Sequence, residues 1–493
     1  MTFDLRRRAS LRILGTGLIA AALAYACGGG SDGPTSPGGN GPIRVIAGGG
    51  VTDTITATLP QALIVEVHDS TSKLATGVTV RFKSIIATSP VNQPTLWVTP
   101  ISSQTFNVLA VDTTDAQGRA RTLVRFGAVV GTAGVEVSVP ELGLIDTVSY
   151  TVKTGAPARL LVAPVDTSVT TGGTYQLRAT MADRFNNPIA GSTPTFAGSN
   201  VTVSSAGQVS APNAIARGRI VVTYRDLTDT VSVSVVPKLP MVLTRSSKVE
   251  LINADGSGSR TLATTSDGSL SPTSVAATTS VVFYQGCPCS DSKLWVVDPG
   301  STPRLLLSSA GHADAWPRLS PDGAWVYFVR DLTTLWRVKL DGTGLDSLTS
   351  FTSPFVYGTQ KVYSAPTISP DGRSVAIEDG NGVKIVDVAT KATRTINTTC
   401  GYPRYSPDGA SFACATLFNT IYVIATDGTG QRVLANFPNG DGPDELSGVD
   451  WTPDGKWVLA MPQTGAILVE VSTGTIVPLT ALGKSYFQPS FVR

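Results

Sequence analysis

Ser320-Pro321-Asp322-Gly323 is the most informative stretch of this chain, because it returns. Ser369-Pro370-Asp371-Gly372 and Ser406-Pro407-Asp408-Gly409 repeat it, and Thr452-Pro453-Asp454-Gly455 repeats it with one change, at spacings of 49, 37 and 46 residues. Self-similarity near this period marks a propeller or solenoid. The unit is β, since each tetrapeptide sits between short apolar runs such as Trp316-Pro317-Arg318-Leu319 and Trp325-Val326-Tyr327-Phe328-Val329. Proline presets φ for the turn, aspartate bonds the local backbone and glycine takes φ > 0. Each copy therefore predicts a hairpin.

Six third-strand segments accompany these hairpins. They begin at Lys248, Lys293, Leu335, Val383, Ile421 and Ile467. The second repeat carries Ser271-Pro272-Thr273-Ser274-Val275 in place of the tetrapeptide. Phe487 to Arg493 reads as a first strand, and the segment at Met241 lacks one. The last strand is therefore expected to complete the first sheet and remove a free sheet edge. The expected element is a six-bladed β-propeller over 241–493, similar to the "PD" repeats of TolB-like propellers. TolB itself carries an amino-terminal α/β domain, so its partners do not transfer to this chain.

The preceding residues are also β. Ala62 to Asp69 alternates, Gly77 to Phe82 follows, Asp115 to Ala120 is a turn and Val135 to Val139 a further strand. Residues 156–237 repeat the pattern, with a strand at Gly172 to Ala179, a turn at Asp183 to Ile189 and a closing strand at Thr230 to Val235. Short alternating strands at this spacing suggest sandwiches. Segments 43–153 and 156–237 resemble bacterial immunoglobulin-like domains of the invasin and intimin type. The fold class expected is thus all-β: two immunoglobulin-like sandwiches and then the propeller. His68, ending a strand beside Asp69, is expected to be a solvated edge residue. Pro237-Lys238-Leu239-Pro240 is expected to be a short stiff joint.

The amino terminus is a targeting segment. Arg6, Arg7 and Arg8 precede an apolar run from Ile13 to Leu23, then Ala24-Tyr25-Ala26-Cys27. That order is a signal-peptide order, and the run is short for a membrane span. Residues 1–27 resemble a bacterial lipoprotein signal, which implies an acylated Cys27 and export to the cell envelope, at the outer membrane or cell surface. Ala24 stands where leucine is usual. Arg7 to Arg12 also looks like a twin-arginine signal, so the export route stays open. Residues 28–42 are Gly/Ser/Pro-rich and read as a flexible tether. Gly29-Gly30-Ser31-Asp32-Gly33 matches a nucleophile-elbow string but has no strand before it or helix after it.

With 38 basic and 36 acidic residues the formal charge is +2 and no basic stripe appears, so no nucleic-acid partner is expected. The tetrapeptide aspartates read as structural, because each has a turn bond to make. Tetrapeptide turns occupy one face of a propeller and the longer connections the other. Loops on a rigid scaffold are where binding residues gather. The candidate binding face is therefore the second one, with His312, Asp314, Trp316, Asp331, Tyr357, Tyr363, Asp379, Asp441, Asp444 and Glu445. It is expected to take an unidentified protein, peptide or glycan. No catalytic residue, metal ligand or cofactor is assigned. The alternative is a secreted propeller enzyme, a carbohydrate lyase or hydrolase, acting at that same face. Its nucleus would be His312-Ala313-Asp314, which lacks a nucleophile–base pair. The remaining cysteines, Cys287, Cys289, Cys400 and Cys414, are disulfide candidates in an exported chain. Cys400 and Cys414 flank the hairpin around Pro407 and are the pair expected to bridge, while the connectivity as a whole stays open.

Overall fold

The computed structural model describes residues 41–85, 94–245, 247–264, 269–274, 279–286, 291–298, 300–352, 355–357, 360–362, 365–380, 382–398, 400–416, 419–438, 448–482 and 487–492. The described residues are strands, turns and two 3-10 segments, so the chain is all-β. No helix among them is long and apolar enough to cross a membrane. Cys27, Cys287 and Cys289 fall outside the described residues. The chain divides into two compact units, 1–156 and 157–493.

In the first unit, a four-stranded sheet orders Ile43–Ala47, Leu63–Val67, Arg119–Phe126 and Leu96–Thr99. A five-stranded sheet orders Thr52–Thr54, Leu144–Lys153, Gly131–Val139, Thr79–Ser84 and Leu109–Thr113. Alternation sorts the faces: Leu63, Val65 and Val67 from one sheet and Val80 and Phe82 from the other are fully buried in one core. Truncating Phe82 to alanine should cost about 3–5 kcal/mol. At the turn, the Asp115 carboxylate accepts N–H bonds from Gln117 and Arg119. His68 is a correction: it is only 9% exposed. Its Nε2 lies 3.0 Å from Glu66 Oε1 and its Nδ1 3.1 Å from the Ser72 carbonyl. A hydrogen-bonded histidine closes the strand end there.

The second unit begins with small sheets around Leu177, Val209, Ile220, Val222, Val231 and Val233. Their turn is held by Asp183, which accepts from the N–H groups of Phe185 and Asn187. This module packs directly onto the sheets that come after it in the chain. Val236 is buried with Met241, Leu243, Leu479 and Leu482, with Ile215 and Leu239 packed against them. Ser168 and Thr480 share a 2.8 Å hydroxyl–hydroxyl bond.

From Pro240 onward the described residues form six four-stranded antiparallel sheets in chain order. Sheets two to six have as first strands Ser269–Ser274, Asp314–Leu319, Thr367–Ile368, Gly401–Tyr405 and Val449–Trp451. In sheet one that place is taken by Phe487–Phe491, which pairs with Pro240–Arg245 through Met241↔Phe491, Val242↔Ser490 and Thr244↔Phe487. One central cavity is lined from all six first strands, which makes the assembly a β-propeller.

The four tetrapeptide turns are built alike. The Ser320 hydroxyl donates to Asp322 Oδ1 at 2.5 Å and accepts the Trp325 N–H at 2.9 Å, while Gly323 N–H closes the turn on the Ser320 carbonyl at 2.8 Å. The same three bonds recur in the copies starting at Ser369, Ser406 and Thr452. Their glycines have φ of +71°, +69°, +72° and +67°, where a Cβ is strained. The aspartates thus orient hairpins, and Asp322, Asp371 and Asp408 are held below the ordinary aspartate value, first by the Ser hydroxyl and then by a backbone N–H.

Candidate functional site at the propeller axis

The site starts from a defect in the innermost strands. Proline lacks the N–H that a ladder needs, so inside a sheet it sits at edges or bulges. Pro317 and Pro403 each follow a residue at positive φ, Trp316 at 51° and Tyr402 at 52°. In both strands the pairing register slips there, between Ala315 and Arg318 and between Gly401 and Arg404. Sheet two slips likewise between Leu270 and Thr273, across Pro272. A bulge bends its strand and re-aims the next side chain. In sheets two, three and five the residue behind the slip, Thr273, Arg318 or Arg404, reaches the axis; Ser490, Thr367 and Asp450 reach it from the other three first strands, and all six line a cavity of about 290 Å³.

Each of these stands two positions before the tetrapeptide's first residue, or before its counterpart Val275 or Val492. Leu319, Ile368, Tyr405 and Phe491 form the next layer outward, and the tetrapeptide prolines Pro321, Pro370, Pro407 and Pro453 line the cavity beyond them. The cavity is therefore on the turn side. A second cavity of about 20 Å³ is lined by Tyr402, Pro403, Gly448 and Val449, with Arg318 and Arg404 again in its wall. The two arginines form the partition between the cavities.

The electrostatics follow from that lining. Asp450 is 2% exposed and accepts the Ser490 hydroxyl at 3.1 Å and the Phe491 N–H at 2.9 Å. Arg404 Nε lies 3.9 Å from Asp450 and donates to the Val449 carbonyl at 3.1 Å. Arg318 is 8% exposed and donates to the Pro317 carbonyl at 3.0 Å. Thr367 accepts the Tyr405 N–H at 3.1 Å. Burial raises the Tyr405 hydroxyl to about 12, so it stays neutral. Two guanidinium groups and one carboxylate are the charged groups among the lining residues.

The residues expected on the other face are placed differently. Asp314 and Trp316 lie within a strand and Asp379 ends one, and all three are buried rather than in loops. Asp314 pairs with Arg330 at 2.7 Å, and Asp379 with Lys384 at 2.7 Å. Trp316 packs edge-on to Tyr284 at 6.0 Å. His312 and Asp331 are half-exposed and 2.5 Å apart. Burial pushes the Asp331 carboxyl up, and the Ala313 N–H and His312 outweigh it, leaving it lowered. Tyr357 ends the strand Phe355–Tyr357. Tyr363, Asp441, Asp444 and Glu445 lie outside the described residues. Among the described side chains, His312, Asp314, Trp316, Asp331 and Asp379 are not in the lining of either cavity. Cys400 and Cys414 are joined in a disulfide with Cα atoms 5.0 Å apart.

The axial residues escaped the reading of the sequence, yet a signal existed. Once the repeats are aligned on their tetrapeptides, a proline precedes the axial position in five copies: Pro272, Pro317, Pro366, Pro403 and Pro489.

No family model matches the chain, and no curated protein matches it. Among solved structures, TolB from Acinetobacter baumannii is similar at a TM-score of 0.42 and 12% identity, over 70% of this chain and 90% of that one. A putative TolB from Agrobacterium tumefaciens gives 0.38 and 14%, over 52% and 99%. An oligogalacturonate lyase in complex with manganese gives 0.32 and 14%, over 49% and 72%.

Proposed function

We propose that this chain is an exported binding protein, lipid-anchored through Cys27, whose immunoglobulin-like sandwiches carry a six-bladed propeller. Its ligand enters the axial cavity from the tetrapeptide side. One observation carries this reading: a strand from each of six sheets contributes the same register position to one cavity. Concave sites with apolar walls and a few convergent polar groups are where ligands bind. Here the walls are Leu319, Ile368, Tyr405, Phe491 and the turn prolines, and the convergent groups are the six axial side chains.

The test is a binding screen of peptides and glycans against two variants. Thr273→Trp fills the axial cavity, and His312→Ala alters the opposite face. Ligands of the intact chain should lose affinity for the first variant and keep it for the second. The reverse pattern overturns the axial site.

A further inference from the structure

We infer that the axial cavity recognises a carboxylate, held between Arg318 and Arg404; this rests on the axial site being the ligand site. The two arginines occupy equivalent positions in sheets three and five and flank Thr367 of sheet four. The three side chains are consecutive around the axis. Thr367 Oγ1 accepts the Tyr405 N–H, which leaves its own proton to donate. Guanidinium, hydroxyl and guanidinium therefore stand side by side on one arc of the cavity.

The one carboxylate of the lining stands in the neighbouring sheet six, 3.9 Å from Arg404. Asp450 takes a hydroxyl and a backbone N–H from the closing strand. Two guanidinium groups against one carboxylate leave the described lining with a formal charge of +1. That balance suits a singly charged anion. Guanidinium matches the planar carboxylate, with charge-assisted bonds stronger than neutral ones. Burial of Arg318 and partial burial of Arg404 weaken competition from water. The apolar layer of Leu319, Ile368, Tyr405 and Phe491 lies on the outer side, where the organic body of such a ligand would rest. The arginine partition makes the carboxylate the leading end.

The experiment is calorimetric titration of the intact chain with matched pairs. One pair is an N-acetylated tripeptide as free acid and as amide; the other is a hexuronate and its neutral hexose. The acid of at least one pair should bind more tightly than its neutral partner by about tenfold or more, the scale of a hydrogen bond to a charged group. The preference should shrink as salt rises. Which pair responds tells a chain-terminal carboxylate from a sugar acid. Arg318→Gln and Arg404→Gln should each remove the preference, and Arg404→Lys should retain part of it. Because the acid–neutral comparison uses the unaltered chain, a variant that fails to fold does not decide the matter. Equal binding of acid and neutral members, abolished by Thr273→Trp, overturns the carboxylate and leaves the axial site standing. Acid binding that survives Thr273→Trp overturns both. Absence of binding by either acid overturns the carboxylate.

Discussion

The Ser406 hydroxyl does two jobs within one turn, donating to Asp408 at 2.5 Å and accepting the Ser411 N–H at 2.9 Å. Ser406 is 4% exposed while Asp408 is exposed, so it is the half-buried Ser411 N–H that loses its partner once the hydroxyl is gone. Ser406→Ala should therefore lower stability by about 1–3 kcal/mol, the cost of an unsatisfied buried polar group. Ser406→Thr should be nearly silent, because Thr452 makes the same bonds in its own turn. Urea unfolding of the two variants checks both outcomes. The turn aspartates also give a pH dependence. Asp322, Asp371 and Asp408 are held below 3.8, so the fold favours their charged forms. Their contribution is fully present above 3.8 and is lost as pH falls through the lower, folded-state values. Unfolding midpoints followed into that acid range should fall, and less steeply in Asp408→Asn.

Among the elements, the hairpin of Gly401–Tyr405 and Ser411–Thr416 is stapled by the Cys400–Cys414 disulfide. The cysteines are 14 residues apart, and a loop of about 15 residues corresponds to ~3 kcal/mol of removed unfolded-state freedom. Cys400→Ala with Cys414→Ala should lose stability of that order, measured by thermal unfolding, while a reductant should have no further effect on this variant. The hairpins were legible in the sequence because turn chemistry is local: Ser-Pro-Asp-Gly fixes φ, a side-chain bond and a left-handed residue within four positions. The axial residues were not, because Arg318, Arg404 and Asp450 share no residue type. What they share is a place on the innermost strand of each sheet, which appears only when pairing is known. Asp314 and Asp379 misled for a related reason. Charged residues at strand ends look like loop residues until Arg330 and Lys384 arrive from neighbouring strands to neutralise them.

Across the second unit as a body, the module at 159–236 and the propeller share a core through Val236, Leu239 and Ile215. A fragment beginning at Met241 strips that cover from Met241, Leu243 and Leu482. It should melt below a fragment beginning at Pro157, as calorimetry would show. The anchor proposal has its own check. Cys27→Ser should release the chain from membranes, and mature wild-type protein should carry acyl mass of more than one chain, since one chain anchors only marginally. Removal of residues 487–493 should be the most damaging change. It deletes the strand paired to Met241, Val242 and Thr244 and, through Ser490 and Phe491, the bonds that fix Asp450. Light scattering and melting of the shortened chain should show aggregation or a large loss of stability against a typical total of about 5–15 kcal/mol.

That last strand also sets a clock on biogenesis. Pairing of position 241 with position 491 is a contact between the two extremes of the propeller sequence, and contacts of such separation form late and slowly. The first unit has its own core and can fold while the rest of the chain is still being made. The propeller has to wait for nearly its final residue. Because Ser490 and Phe491 are themselves part of the cavity wall, the ligand site comes into being at the same moment as the ring. A polypeptide terminated early is thus never a weaker version of the finished protein; it lacks the site altogether and offers proteases an open edge.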